Sequence, residues 1–301
     1  MNNTITMSAL YQKLQRKGLQ KKYIQETVLP SWWDEELNDK PAAVLEGAGY
    51  IAQRLNLDLK SLLAEDEELR FKPLPHTKFK YHQQNQTETP NIAYQIATQV
   101  AETVAQATNL PFRSLPSKSH EMRSEILAKH SLVNLSSLLD YCWEKGIAVV
   151  YFNNYPDKKR KITGMIQWQG NQPVIVLSSS RTEAARLAFH LAHEIGHLAL
   201  GHVKAGEEIL IDEQITEDSH DQEEIESNQF ATYLLVDRFD NCFKRHKIYN
   251  NRQLRQKIEQ IVEQEPTIDP CAIAFNYGWH TGKFGCAQKA VNKIDGCQNG
   301  H

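Results

Sequence analysis

Apolar residues recur along the chain with two different periods, and the change of period divides it. In residues 1–65 the spacing is helical. It runs through Leu10 and Leu14 and the Leu19–Ile24 region, breaks at Leu29-Pro30 before Trp32-Trp33, and resumes over Ala42–Leu63. In that last block Leu45, Ile51, Leu55, Leu59, Leu62 and Leu63 fall near one face. Compact helices of this length suit a small bundle or a helix-turn-helix variant. Over residues 64–90 the periodicity lapses into Asp, Glu, Gln, Asn and Thr with Pro73, Pro75 and Pro90, which predicts a linker. Helical spacing returns at Ile92, Ile96, Val100, Val104 and Ala107. Two more helices are predicted over Glu121–His130 and Leu135–Lys145, the second stopped by Gly146.

Beyond Gly146 the pattern shortens to strand-like runs: Ile147–Phe152, Lys161–Trp168 and Val174–Leu177. Asn153-Asn154-Tyr155-Pro156-Asp157 and Gly170-Asn171 separate them as turns. They predict a small, mainly antiparallel sheet. A long helix is expected from near Thr182, and helices follow to the end, interrupted at Pro266, Pro270 and Gly285. No period of 20–50 residues repeats. The expected fold is α+β, with a helical domain at 1–65, a linker at 66–90 and a mixed domain at 91–301.

Composition adds limits. A chain of 301 residues has room for about two domains. The longest apolar runs, such as Ala231–Val236, fall far short of the roughly 20 residues a membrane span needs. No secretory signal opens the chain, so the expected location is the cytoplasm. The five cysteines are odd in number and show no C-x-x-C spacing, which predicts free thiols in a reducing compartment. A net charge of −3 excludes nucleic-acid binding driven by bulk charge. That sum has structure, however. Lys13, Arg16, Lys17, Lys21 and Lys22 against Glu26 give residues 1–30 a net of +4, a candidate phosphate contact. Residues 203–228 hold ten acidic side chains and one lysine, a net of −9.

The chemistry concentrates in Phe189-His190-Leu191-Ala192-His193-Glu194-Ile195-Gly196-His197, which contains H-E-x-x-H. On a helix His193 and His197 lie one turn apart on one face, and two imidazoles so placed suit one Zn²⁺. Glu194, beside the first, is placed to take a proton from a water the ion polarises. Leu187, Leu191, Ile195 and Leu198 supply the buried side of this helix. A three-ligand site needs one more residue, and Glu223, Glu224 and Glu226 compete for the role on a second helix marked by Ile225, Phe230, Leu234 and Leu235. Helical spacing alone does not choose among them. His190 and His202 are candidates for packing or for supporting the ligands. His220, His246, His280, Tyr155 and Tyr233 are conceivable oxyanion donors that the sequence does not rank.

These two segments resemble the ImmA/IrrE family of metallopeptidases. The first matches through Leu191-Ala192-His193-Glu194-Ile195-Gly196-His197-Leu198 and on to Gly201-His202. The second matches through Glu224, Ser227-Asn228, Phe230-Ala231 and Leu234-Leu235. The likeness covers roughly residues 120–300. It departs at His190, where a small hydroxyl residue is frequent, at Ser227 for alanine, and at Val236-Asp237 for Met-Pro. The resemblance implies a gluzincin-like α+β zinc metalloendopeptidase with His193, His197 and Glu224 as ligands and Glu226 as the fallback. It implies Glu194 as the catalytic base and Asn228 as the residue that orients a ligand histidine. One Zn²⁺ per chain is expected, with Mn²⁺ able to substitute in vitro. The implied partner is a protein substrate, a helix-turn-helix repressor whose cleavage relieves repression under stress. The alternatives are a toxin paired with an antitoxin, or a DNA-binding regulator with a zinc-binding sensor domain.

Overall fold

The computed structural model describes residues 5–74, 76–80, 92–156, 162–179, 183–205, 208–212, 221–238, 241–243, 247–292 and 294, with backbone alone at 76–80, 208, 209 and 212. The N-terminal helices are α1 (Met7–Gln15), α2 (Lys21–Tyr23), α3 (Pro41–Arg54) and α4 (Leu59–Leu63). The first strand, β1 (His76–Lys80), precedes α5 (Ile92–Thr108), α6 (Ser119–Leu127) and α7 (Leu135–Lys145). Next come β2 (Ala148–Tyr151), β3 (Gly164–Gln169), β4 (Gln172–Leu177), α8 (Ala184–Leu200), β5 (Glu208–Asp212) and α9 (Gln222–Val236). The chain closes with α10 (Asn251–Gln264), α11 (Pro270–Thr281) and α12 (Phe284–Val291). The fold class is α+β. No described helix is long and apolar enough to cross a membrane.

Four features correct the sequence reading. The helical block over Ala42–Leu63 is two helices, because Asn56 adopts a positive φ of 55° and turns the chain between α3 and α4. The C-terminal break falls at Gly282 (φ 69°), whereas Gly285 lies inside α12. The sheet is mixed rather than mainly antiparallel, with order β1-β5-β3-β4-β2. Both outer pairs, β1·β5 and β2·β4, are parallel, and the central pairs β3·β4 and β3·β5 are antiparallel. Strand β1 also falls inside the segment read as a linker.

The sheet is buried on both faces, which is why β4 reads as an unbroken apolar run instead of an alternation. Ile166, Ile175, Leu177 and Leu210 face a core built from α6 to α12, with Leu191, Ile195, Phe230 and Leu234 at its centre. Met165, Val174, Val176 and Ile211 face the opposite way, into a second core with Leu10, Leu14, Ile51, Leu62, Ile96 and Ala97. The N-terminal helices therefore lie on the far side of the sheet from the H-E-x-x-H helix, in a separate core built on the opposite face of the same strands. Tyr23 Oη donates to Asn154 O at 2.9 Å, tying that layer to the loop after β2.

The four lysines of the first 30 residues have internal partners. Lys13 Nζ donates to Ser61 O and Ala64 O, Lys17 meets Glu68, Lys21 lies 4.0 Å from Glu35, and Lys22 lies 3.8 Å from Glu26. Cysteine usage differs from expectation too. Cys142 and Cys286 are free thiols, but Cys271 is disulfide-bonded.

Candidate metal centre

Helix α8 is long, uninterrupted and buried from Ala188 through Leu198. Gly201, at φ 77°, ends it, and Asp221 opens α9 by accepting the backbone N–H of Glu223 at 2.9 Å. Glu223 and Glu224 in the first turn of α9 suit the positive end of its dipole. The two helices pack closely because Gly196 has no side chain. A Cβ there would lie 3.3 Å from both Phe230 Cβ and Ser227 Cα.

This packing brings three side chains together. His193 Nε2 and His197 Nε2 lie 2.9 Å apart. Glu224 Oε2 is 3.3 Å from His193 Nε2, and Glu224 Oε1 is 3.3 Å from His197 Nε2. Both imidazoles are fully buried, and Glu224 is 6% exposed. Among the described residues this is the group of His, Cys, Asp and Glu side chains placed to hold a metal ion. The spacing tests the fit. Bonds of about 2.0–2.1 Å to a tetrahedral zinc put neighbouring donors roughly 3.3 Å apart, and the three distances sit at or just below that edge. Two neutral nitrogens and one carboxylate are also the donor chemistry zinc takes. Burial pushes the Glu224 carboxyl up, but the two imidazoles hold it well below the usual carboxylate range.

Glu226, the fallback ligand, is not in the cluster. Its Oε2 lies 3.2 Å from His202 Nε2, and its side chain is 43% exposed. Glu223 is half-buried in the first turn of α9 and is not part of the cluster. Asn228 Oδ1 lies 3.0 Å from His193 Nδ1 and accepts that ring N–H, which leaves Nε2 as the lone-pair nitrogen facing Glu224.

Glu194 is fully buried and lies against β3. An ideal Cβ on Gly164 would sit 1.6 Å from Glu194 Oε1, so only glycine admits the carboxylate at this position. In the sequence Gly164 is simply one residue of the strand-like run Lys161–Trp168. The available signal was that a glycine inside a strand often marks a close approach. Arg123 was missed as well. Its buried guanidinium donates to Leu234 O at 2.8 Å and to Thr267 O at 3.0 Å, gripping the last turn of α9. Nothing in its sequence neighbourhood announces this.

His190 is buried one turn before His193. Burial, with Arg186 and His193 nearby, pushes its imidazole down to about 3, so it is neutral at ordinary pH. Tyr155 belongs to the core on the far face of the sheet, and Tyr233 packs edge-on against His120. His220 and His246 lie outside the described residues, as do residues 213–220 of the acidic segment.

An α+β fold in which an H-E-x-x-H helix meets a carboxylate from the next helix defines a metallopeptidase-like domain. Residues 142–264 match the Peptidase_M78 family model, described as the IrrE N-terminal-like domain, so this part of the chain is similar to that family. The matched stretch contains every residue of the cluster, together with Glu194, Asn228 and Gly164. No curated protein matches the chain.

Proposed function

We propose that the protein is a zinc-dependent endopeptidase that hydrolyses a peptide bond in a helix-turn-helix transcriptional repressor and so relieves repression. The observation that carries this reading is the convergence of His193, His197 and Glu224, with Glu194 on the same helix turn as His193. His193, His197 and Glu224 would hold one Zn²⁺, or Mn²⁺ in vitro. When bound, the ion supplies the positive charge that acidifies a water and polarises a carbonyl. Glu194 accepts a proton as water attacks the scissile carbon and passes it to the departing amide nitrogen. Gly164 keeps the Glu194 carboxylate against β3, and Asn228 fixes the tautomer of His193.

In this reading residues 91–301 form the catalytic unit. Residues 1–65, joined through 66–90, form a supporting helical unit behind the sheet. Residues 203–228, which in sequence lie between His197 of α8 and the end of the first turns of α9, carry a net of −9 that would complement a basic, DNA-binding substrate in the cytoplasm. The test is to incubate the zinc-loaded protein with the repressor-like protein encoded beside it and follow both by intact mass. Wild type should yield one new pair of fragments. Glu194→Gln should keep its metal and yield none. Full activity in Glu194→Gln would sink the mechanism. Growth arrest relieved by an uncleaved partner would favour a toxin.

A further inference from the structure

We infer that His202 and Glu226 form an outer support of the metal centre, in which Glu226 holds His202 and His202 holds His197 in its metal-binding tautomer. The inference rests on His193, His197 and Glu224 being the ligand set.

The geometry begins at Gly201. Its positive φ of 77° turns the chain back at the end of α8, and His202 N donates to His197 O at 2.9 Å. The turn lays the two imidazoles edge to face, with ring centroids 5.1 Å apart and Nδ1 of one 3.0 Å from Nδ1 of the other. Two ring nitrogens at that distance share one proton, and the chemistry decides whose it is. His197 Nε2 faces His193 Nε2 and Glu224 Oε1, where a ligand lone pair belongs. Its proton must therefore sit on Nδ1, which donates, and His202 Nδ1 accepts. That places the proton of neutral His202 on Nε2, 3.2 Å from Glu226 Oε2, which accepts in turn. Ser227 Oγ also lies near, 3.3 Å from His202 Nδ1. Gln222 Nε2 donates to the other Glu226 oxygen at 2.7 Å and holds the carboxylate in place.

The chain of bonds thus runs from a fully buried ligand to a half-exposed carboxylate. It gives Glu226 an occupation other than ligation. It also makes the two ligand imidazoles unequal. His193 is backed by the neutral amide of Asn228, whereas His197 is backed by a histidine with a carboxylate behind it, an arrangement that raises ligand basicity.

The test is a competition titration of the full-length protein for Zn²⁺ against a chromophoric chelator, with the Co²⁺ absorption spectrum as a second readout. Groups that support a ligand in this way typically contribute about 10–100-fold in metal affinity. His202→Ala should weaken Zn²⁺ binding by roughly that factor and perturb the Co²⁺ bands. His202→Gln, whose amide oxygen accepts the same hydrogen bond, should recover most of the loss. Glu226→Ala should weaken binding in the wild-type background and add nothing to His202→Ala, because its effect passes through that ring. Glu226 is half-exposed, so melting of the metal-free Glu226→Ala protein should match metal-free wild type and separate affinity from folding. Unchanged affinity in His202→Ala overturns the inference, as do additive losses in the double variant. A Glu226→Ala loss as large as that of His193→Ala also overturns it, by making Glu226 a ligand. His193→Ala separates the two levels. If it keeps wild-type affinity, the ligand set is wrong. If it loses the ion while His202→Ala keeps it, the ligand set stands and the support fails.

Discussion

Replacing Gly164 by alanine adds one methyl group where the structure leaves no room for it. The new Cβ would stand 1.6 Å from Glu194 Oε1, and contacts under 3.0 Å are essentially never tolerated, so the two must part by at least 1.4 Å (3.0 − 1.6). The strand cannot easily supply that distance. Gly164 is paired to Leu177 on one side and Asp212 on the other, in the centre of a five-stranded sheet. The carboxylate moves instead. A catalytic group misplaced by about 1 Å costs on the order of 10²-fold in rate, or roughly 2.7 kcal/mol of transition-state stabilisation. The three heavy atoms nearest the new Cβ all belong to Glu194 and none to a proposed ligand, so zinc affinity should stay within about threefold of wild type. Overpacking should lower stability by about 1–3 kcal/mol. The assay compares kcat on a quenched fluorescent peptide library with zinc content and with a urea melt. A variant with wild-type kcat would refute the argument that Gly164 positions the base. A variant that loses zinc as His193→Ala does would show that the strand, not the carboxylate, had moved.

Other outcomes follow from the same structure. Arg123→Met keeps the volume of the side chain but strips the carbonyls of Leu234 and Thr267 of their donor. Urea unfolding should show a loss of about 2–4 kcal/mol, and a loss under about 1 kcal/mol would mean those carbonyls find other donors. His190 titrates at about 3 in the folded chain against an ordinary 6.5, so the unfolded chain takes up its proton first as pH falls. Its contribution is complete above the unfolded value and is lost as pH drops toward 3, amounting to about 2 kcal/mol between neutrality and pH 5. In metal-free protein, His190→Leu should flatten that part of the stability profile, and an unchanged slope would assign the effect elsewhere. Removing the metal by chelation should lower Tm, and zinc at a thousand times its Kd should return about 4 kcal/mol. A Tm indifferent to zinc would argue against a site that exists only in the folded chain.

Local signals carried far along this chain, and the places where they stopped share a cause. Helix α7 ends at Gly146 and α8 spans H-E-x-x-H because capping and 3.6-residue periodicity are written in adjacent residues. Strand pairing is not written that way. The parallel pairs β1·β5 and β2·β4 join segments that are not neighbours in sequence, so a mainly antiparallel sheet was the natural but wrong expectation. Strand β1, with two lysines in five residues, lacks an apolar run and takes its place through backbone pairing. The choice among glutamates was hidden for a geometric reason. Glu224 and Glu226 are two residues apart, about 200° around α9, so one faces α8 and the other turns to His202. Knowing which requires the packing of α9 on α8, which Gly196 permits. Gly164 and Arg123 act across the fold, on Glu194 and on the end of α9, and their neighbours in sequence say nothing of those partners.

The most direct measurement is a titration of cleavage activity against zinc. The protein is first stripped by chelation, then given zinc in fractions of an equivalent while fragments of the partner protein are counted by intact mass. The account predicts no cleavage without metal, a rise with each addition, and a break at about one zinc per chain. Cleavage by the stripped protein at the full rate would contradict it, as would bound zinc at one equivalent with the partner left intact.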